Sequence, residues 1–173
     1  MAKGRRPQFV LDQSFPDSSL LQTRLPDIDL VPLRTLYPDL THDHDDWQVL
    51  QQLRARGGAD AFVTVDAKML SLEKEMVVLE QSRLTLVVFK DVDNDPLTAG
   101  ALLVAASGRL ARALDRRHSQ VFQIHLPRIY PEKPQSRLED IAKRRGGTAA
   151  AMRREHRQSP VEMMRDCRAA VAG

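Results

Sequence analysis

Three times in its first hundred residues the chain runs through an apolar stretch of strand length and ends on an aspartate. The stretches are Gln8-Phe9-Val10-Leu11-Asp12, Ala61-Phe62-Val63-Thr64-Val65-Asp66 and Leu84-Thr85-Leu86-Val87-Val88-Phe89-Lys90-Asp91. Stretches this apolar suit strands covered on both faces, as in a parallel sheet. Open α/β sheets bind ligands beyond the carboxyl ends of their strands. One aspartate in that position is an ordinary turn former. Three at one edge of one sheet predict a metal site.

The segments between the strands carry helical periodicity. Trp47, Leu50 and Leu53 predict a helix from about Asp45 to Arg56, stopped by Gly57-Gly58. Leu70, Met76, Val77 and Leu79 predict another within Lys68–Ser82. Asp95-Pro96 opens a long one reaching about Arg117, with Leu102, Leu103, Ala106, Leu110 and Leu114 inward. Leu20, Leu21 and Leu25 suggest a short helix after the first strand. Asp29-Leu30-Val31-Pro32-Leu33 reads as a further strand, placed at a sheet edge by Pro32. Gln120 to Leu126 reads as the last strand. Strand and helix alternate, which predicts a parallel sheet with helices on both faces, joined by right-handed crossovers.

The alternation stops at Pro127, so residues 1–127 are expected as the domain and residues 128–173 as a basic, partly helical extension. Polar helical segments are expected around Arg137–Arg145 and Thr148–Arg157, and a short amphipathic helix in Val161–Ala172. Charge divides at the same point. Residues 1–127 hold 15 Lys and Arg against 17 Asp and Glu, whereas residues 128–173 hold 11 against 6. A basic tail on a slightly acidic core favours an anionic partner such as nucleic acid, although a solvated charged tail has the same composition. Cys167 is the single cysteine, so no internal disulfide forms and a reducing compartment is expected. No secretory leader is expected, and no apolar stretch approaches the roughly 20 residues a bilayer span needs. These features predict a cytoplasmic protein with no membrane partner.

The proposed chemistry rests on Asp12, Asp46, Asp66 and Asp91. Asp46 lies four residues before Leu50, on or beside the buried face of its helix and in its first turn, while Asp45 suits the cap. Carboxylates brought together repel, and each raises its neighbours' pKa unless a cation balances them. A hard divalent ion does so, and it can activate water against a phosphoryl centre.

The Asp12 strand, the acid about 34 residues later at Asp46, Thr64-Val65-Asp66 and the acid after the next strand resemble the PIN-domain ribonucleases. The opening strand with Asp12 and Pro16 is also similar to the toxin members of bacterial toxin–antitoxin systems. The resemblance covers about residues 8–126. It implies a three-layer α/β fold with a mostly parallel sheet of four to five strands, and a pocket for Mg2+ or Mn2+. It implies hydrolysis of RNA and, for the toxin members, a protein antitoxin; apart from the resemblance, the arginines of the extension could pair with an acidic partner or lie across a second subunit of a homodimer. On this template Asp12, Asp46, Asp66 and Asp91 hold metal, with Asp93 as substitute for Asp91. Thr64 and Asp45 position substrate, Thr64 by hydrogen bonding within the pocket. The chain departs from the family in carrying Asp46 where glutamate is usual, in the longer step from Asp66 to Asp91, and in its extension.

Two other readings remain open. One is a PIN-like module that binds RNA or protein without cutting. The other is an α/β phosphohydrolase: Asp12 after an apolar strand is similar to haloacid-dehalogenase-like phosphatases, but Ser14 stands where that signature has a second aspartate. Weaker signals add little. His42-Asp43-His44 could ligate a transition metal but reads better as a charged loop beside the pocket. Asp91-Val92-Asp93-Asn94-Asp95 begins like a calcium loop, but Pro96 and Leu102 occupy its required Gly and Glu positions. Arg109, Arg112, Arg116 and Arg117 are expected along one helix, and Arg144, Arg145, Arg153, Arg154 and Arg157 along the extension, where such stripes could track phosphates.

Overall fold

The computed structural model describes residues 5–13, 15, 25–40, 44–92, 95–125 and 128–159. Six strands form one sheet: β1 (Gln8–Leu11), β2 (Asp29–Pro32), β3 (Ala61–Thr64), β4 (Thr85–Phe89), β5 (Gln120–His125) and β6 (Arg128–Glu132), in the order β2-β1-β3-β4-β5-β6. All neighbours are parallel except β5 and β6. Pro32 lies in β2, which is an edge strand as expected, since proline has no N–H for a second neighbour.

The strands are apolar on both faces because both are covered. Val10, Phe62, Leu86, Val88 and Val121 face one core. Phe9, Leu11, Val63, Val87, Phe89, Phe122 and Ile124 face the other. The first core is closed by α2 (Asp46–Arg56), α3 (Glu73–Gln81), α5 (Pro134–Arg144) and α6 (Ala149–His156), with α1 (Leu33–Leu36) and a 3-10 turn at Ala67–Ser71 beside them. The second is closed by α4 (Pro96–Ala113) through Ala99, Leu103, Ala106 and Leu110. The architecture is α/β with helices on both faces of a mostly parallel sheet.

The expectation of uniform crossovers fails. The chain steps from β3 to β4 to β5 in one direction across the sheet, yet α3 packs on one face and α4 on the other. Two successive crossovers in one direction share a hand only if their helices share a face. The β4–α4–β5 connection therefore has the hand opposite to β3–α3–β4, so one of these two departs from the general right-handed preference.

Beyond residue 127 the chain stays on the sheet. Arg128–Glu132 returns antiparallel on β5, with His125 paired to Arg128 and Val121 to Glu132, adding a sixth strand to the expected four or five. The helices beyond it contribute Leu138, Ile141, Ala142 and Met152 to the first core. The described part of the extension is thus packed structure. The long helix also ends at Ala113, four residues short of its expected end, so Arg116 and Arg117 lie in the turn before β5. Arg116 there bonds Asp60 through Nε at 3.0 Å, which removes it from the arginine stripe. Among the described residues no helix is long and apolar enough to cross a membrane. The helices expected around Leu20 and in Val161–Ala172, with Pro16, His42, Asp43, Asp93 and Cys167, lie outside the described residues.

Candidate functional site

Parallel pairing fixes where the aspartates go. Because β1, β3 and β4 are neighbours running the same way, Asp12, Asp66 and Asp91 leave the sheet at one edge. The register is locked there by the Asp12 N–H, which donates to the Val63 carbonyl at 2.9 Å. The fully buried Thr64 then ties two of the acids together. Its hydroxyl donates to Asp12 Oδ2 at 2.9 Å and accepts from the Asp66 N–H at 3.0 Å. Backbone N–H groups engage one further oxygen of each acid: Gln13 donates to Asp12 Oδ1 at 2.7 Å and Lys68 to Asp66 Oδ1 at 2.8 Å.

Asp46 comes from the opposite direction, in the first turn of α2. Asp45 precedes it at the cap position. The Asp45 N–H donates to Gln48 Oε1 at 2.8 Å, and its carboxylate accepts from Trp47 Nε1 at 3.0 Å. Lys74 Nζ lies 3.3 Å from the centroid of the Trp47 ring, a cation–π contact that pins the start of α2 to the start of α3.

Burial, and after it the charges of Asp12, Asp66, Glu75 and Asp45, push the Asp46 carboxyl up to about 6. These contributions place Asp12 and Asp66 in the electrostatic environment of Asp46. Asp91 is not among the charges acting on Asp46. Its side chain is 79% exposed, and its Oδ2 accepts from His125 Nδ1 at 2.9 Å. Its backbone takes φ of +60°, a left-handed conformation that aspartate tolerates better than most residues.

Glu75 was not anticipated. It is 7% exposed in the first turn of α3, and burial first, then the Asp45 charge, raises its pKa, against the lowering effect of its own backbone, Lys74 and His156. The sequence held a signal for it: an acid in the first turn of a helix that begins at the carboxyl edge, the same logic that singles out Asp46. The extension supports this helix from behind, since Glu73 pairs with Arg145 and with His156 Nε2, the latter at 3.2 Å.

Chemically, the cluster offers only carboxylate and hydroxyl oxygen, a donor set suited to a hard divalent ion. Its carboxylates are near enough to repel and are also committed to protein donors. Among the described residues, no three His, Cys, Asp or Glu side chains stand together in position to hold a metal ion. The cavity bordering Asp12 is small, about 20 Å3, and is also lined by Arg34. Comparison with known proteins finds no family model that matches the chain, and no curated protein or solved structure similar to it.

Proposed function

We propose that the chain is a metal-dependent ribonuclease whose active site is the acidic carboxyl edge. The observation that carries this reading is Asp46, a half-buried carboxyl raised first by burial and then by acids from two adjacent strand ends. Repulsion of this kind is relieved by a cation. Asp12, Asp46 and Asp66 would hold Mg2+ or Mn2+, which when bound supplies charge neutralisation and activates water for attack on a phosphodiester. Asp91 would be the outlying fourth acid.

The chain's own residues have separable tasks. Thr64 fixes the Asp12 carboxylate and the Asp66 backbone in one geometry. Asp46, whose proton is held up to about pH 6 in the metal-free protein, would release that proton on binding the ion. Arg34, beside Asp12, is placed to meet a phosphate oxygen.

A second reading, a module that binds RNA without cutting it, is favoured by the lack of a ready three-ligand set among the described residues. One experiment separates them. Labelled single-stranded RNA is incubated with the protein and Mn2+ or Mg2+, beside EDTA and an Asp12→Asn variant. The nuclease reading expects cleavage that stops in EDTA and in the variant. RNA that is bound but intact in every lane, with the fold verified, favours the binding module.

A further inference from the structure

The opposite edge of the sheet carries a cavity of about 870 Å3, formed where α3 ends, β5 begins, β6 ends and α5 begins. That volume falls in the range of small-molecule sites. Its ionisable lining divides unequally. The three acids are already engaged by other groups. Glu80 accepts two bonds from Arg153, at 2.8 and 2.9 Å. Glu132 pairs with Arg137 at 3.1 Å and accepts from Gln123 Nε2 at 2.6 Å. Asp115 bonds His118 Nδ1 at 2.7 Å and accepts from the Arg117 N–H at 2.8 Å.

The cations are not spent in this way. Arg83, Arg117 and Lys133 line the same cavity, are exposed, and form no ion pair with any described residue. The first turn of α5 opens on the cavity through Pro134 and Gln135. It contains no acid, and its cap residue Lys133 offers no side-chain bond to the free N–H groups. Three available cations and an uncapped helix start favour a compact anion of more than one charge. Two of the cations are arginines, whose planar forks match phosphate oxygens.

We propose that this cavity binds a phosphate monoester of mononucleotide size, with Arg83, Arg117 and Lys133 on the phosphate. The proposal does not depend on the ribonuclease reading, because no residue of the acidic edge takes part. A free nucleotide and the 5′-phosphorylated end of an RNA present the same chemistry, so the test has an arm for each.

Calorimetric titrations in EDTA would use adenosine monophosphate, inorganic phosphate, and a short oligoribonucleotide with and without its 5′-phosphate. Saturable binding of the nucleotide is expected, weakened on the order of tenfold for each cation removed in Arg83→Ala, Arg117→Ala and Lys133→Ala. Arg157→Ala, an exposed arginine elsewhere, should bind as the wild type does. If the RNA end is the source, the 5′-phosphorylated oligomer binds more tightly than its unphosphorylated twin; if the free nucleotide is, the two oligomers bind alike and more weakly than the nucleotide. No saturable nucleotide binding overturns the proposal. So does binding that survives all three substitutions in a variant with a wild-type circular-dichroism spectrum, or inorganic phosphate binding as tightly as the nucleotide.

Discussion

The two edges of this sheet treat carboxylates in opposite ways. At the amino edge, Glu80, Glu132 and Asp60 are each met by an arginine: Arg153, Arg137, and Arg5 with Arg116. At the carboxyl edge, Asp12, Asp46, Asp66 and Glu75 are met by hydroxyl and backbone donors or by one another. The first arrangement is what stability selects: charges paired and desolvation offset. The second leaves repulsion in place at a cost to the fold. Acids that raise a neighbour's pKa at the ligand-binding edge of a parallel sheet are the arrangement expected of a site more than of a scaffold.

The element joining the edges should give the largest effect when broken. Helix α5 starts beside the basic cavity and ends where Arg145 meets Glu73, with the fully buried Leu138 between. Leu138→Ala should destabilise the protein by about 2–5 kcal/mol in denaturant unfolding, as for a large side chain truncated in a packed core. A loss under about 1 kcal/mol would mean that the extension is packed loosely and that the two edges are independent.

Next in size is Asp46, where removing a charge should stabilise. Its folded pKa of about 6 exceeds the ordinary 3.8, so the folded chain holds that proton more firmly than the unfolded chain does. The resulting stabilisation is complete below about pH 3.8 and is lost as pH rises through 6. In metal-free protein, Asp46→Asn should therefore be the more stable form at pH 8, by about 1–2 kcal/mol once solvent screening of this half-exposed group is allowed for, and the advantage should vanish near pH 3.5. Mn2+ should raise the wild-type Tm at pH 8 and leave that of the variant unmoved. An advantage independent of pH would show that Asp46 carries no excess repulsion, and the contrast between the edges would fall with it.

How much of this contrast could be read in advance differs by element. Asp12, Asp66 and Asp91 were legible because an apolar run and its terminal acid are contiguous, and parallel pairing then sends all three to one edge. Asp46 was legible from helical spacing against Leu50 and Leu53. Glu75 escaped because its segment was read only for its apolar face, and its burial depends on α2 and α6 meeting α3 in space. The sixth strand escaped because Arg128–Glu132 contains Pro131 and no apolar alternation; an edge strand needs only one hydrogen-bonded flank, which composition does not reveal. The helices beyond it were visible as helices. Their buried residues, Leu138, Ile141, Ala142 and Met152, were too sparse among charges to signal a core face. The opposite hands of the α3 and α4 crossovers have no local signal at all, since they depend on which face of the sheet each helix chooses.

Thr64 tests whether the acidic edge is organised or merely crowded. Its hydroxyl is the one group that serves both Asp12 and the Asp66 backbone. Thr64→Val keeps the shape, removes the donor to Asp12 and leaves the Asp66 N–H without its acceptor, which should cost about 1–3 kcal/mol. Thr64→Ser should recover most of it. If valine were tolerated without loss, the strand ends alone would suffice to hold the acids.

The smallest effect should come from Asp91, and its smallness is informative. All three strand-end acids share an edge, but Asp91 is one strand further from Asp46 than Asp66 is, and it is turned to His125. Asp91→Asn keeps a residue that accepts the left-handed backbone at φ of +60°. Stability should change by less than about 0.5 kcal/mol, as for most exposed positions. Carboxyl carbon NMR would then follow the Asp46 titration in three variants. Asp12→Asn and Asp66→Asn each remove a charge that acts on Asp46, so its midpoint should move down from about 6 toward the ordinary value. In Asp91→Asn it should stay in place. A downward shift there of the same size would bring Asp91 into the cluster and make the site a four-acid pocket in the metal-free protein. An unmoved midpoint confines the repulsion to the two strand ends and two helix starts that face each other.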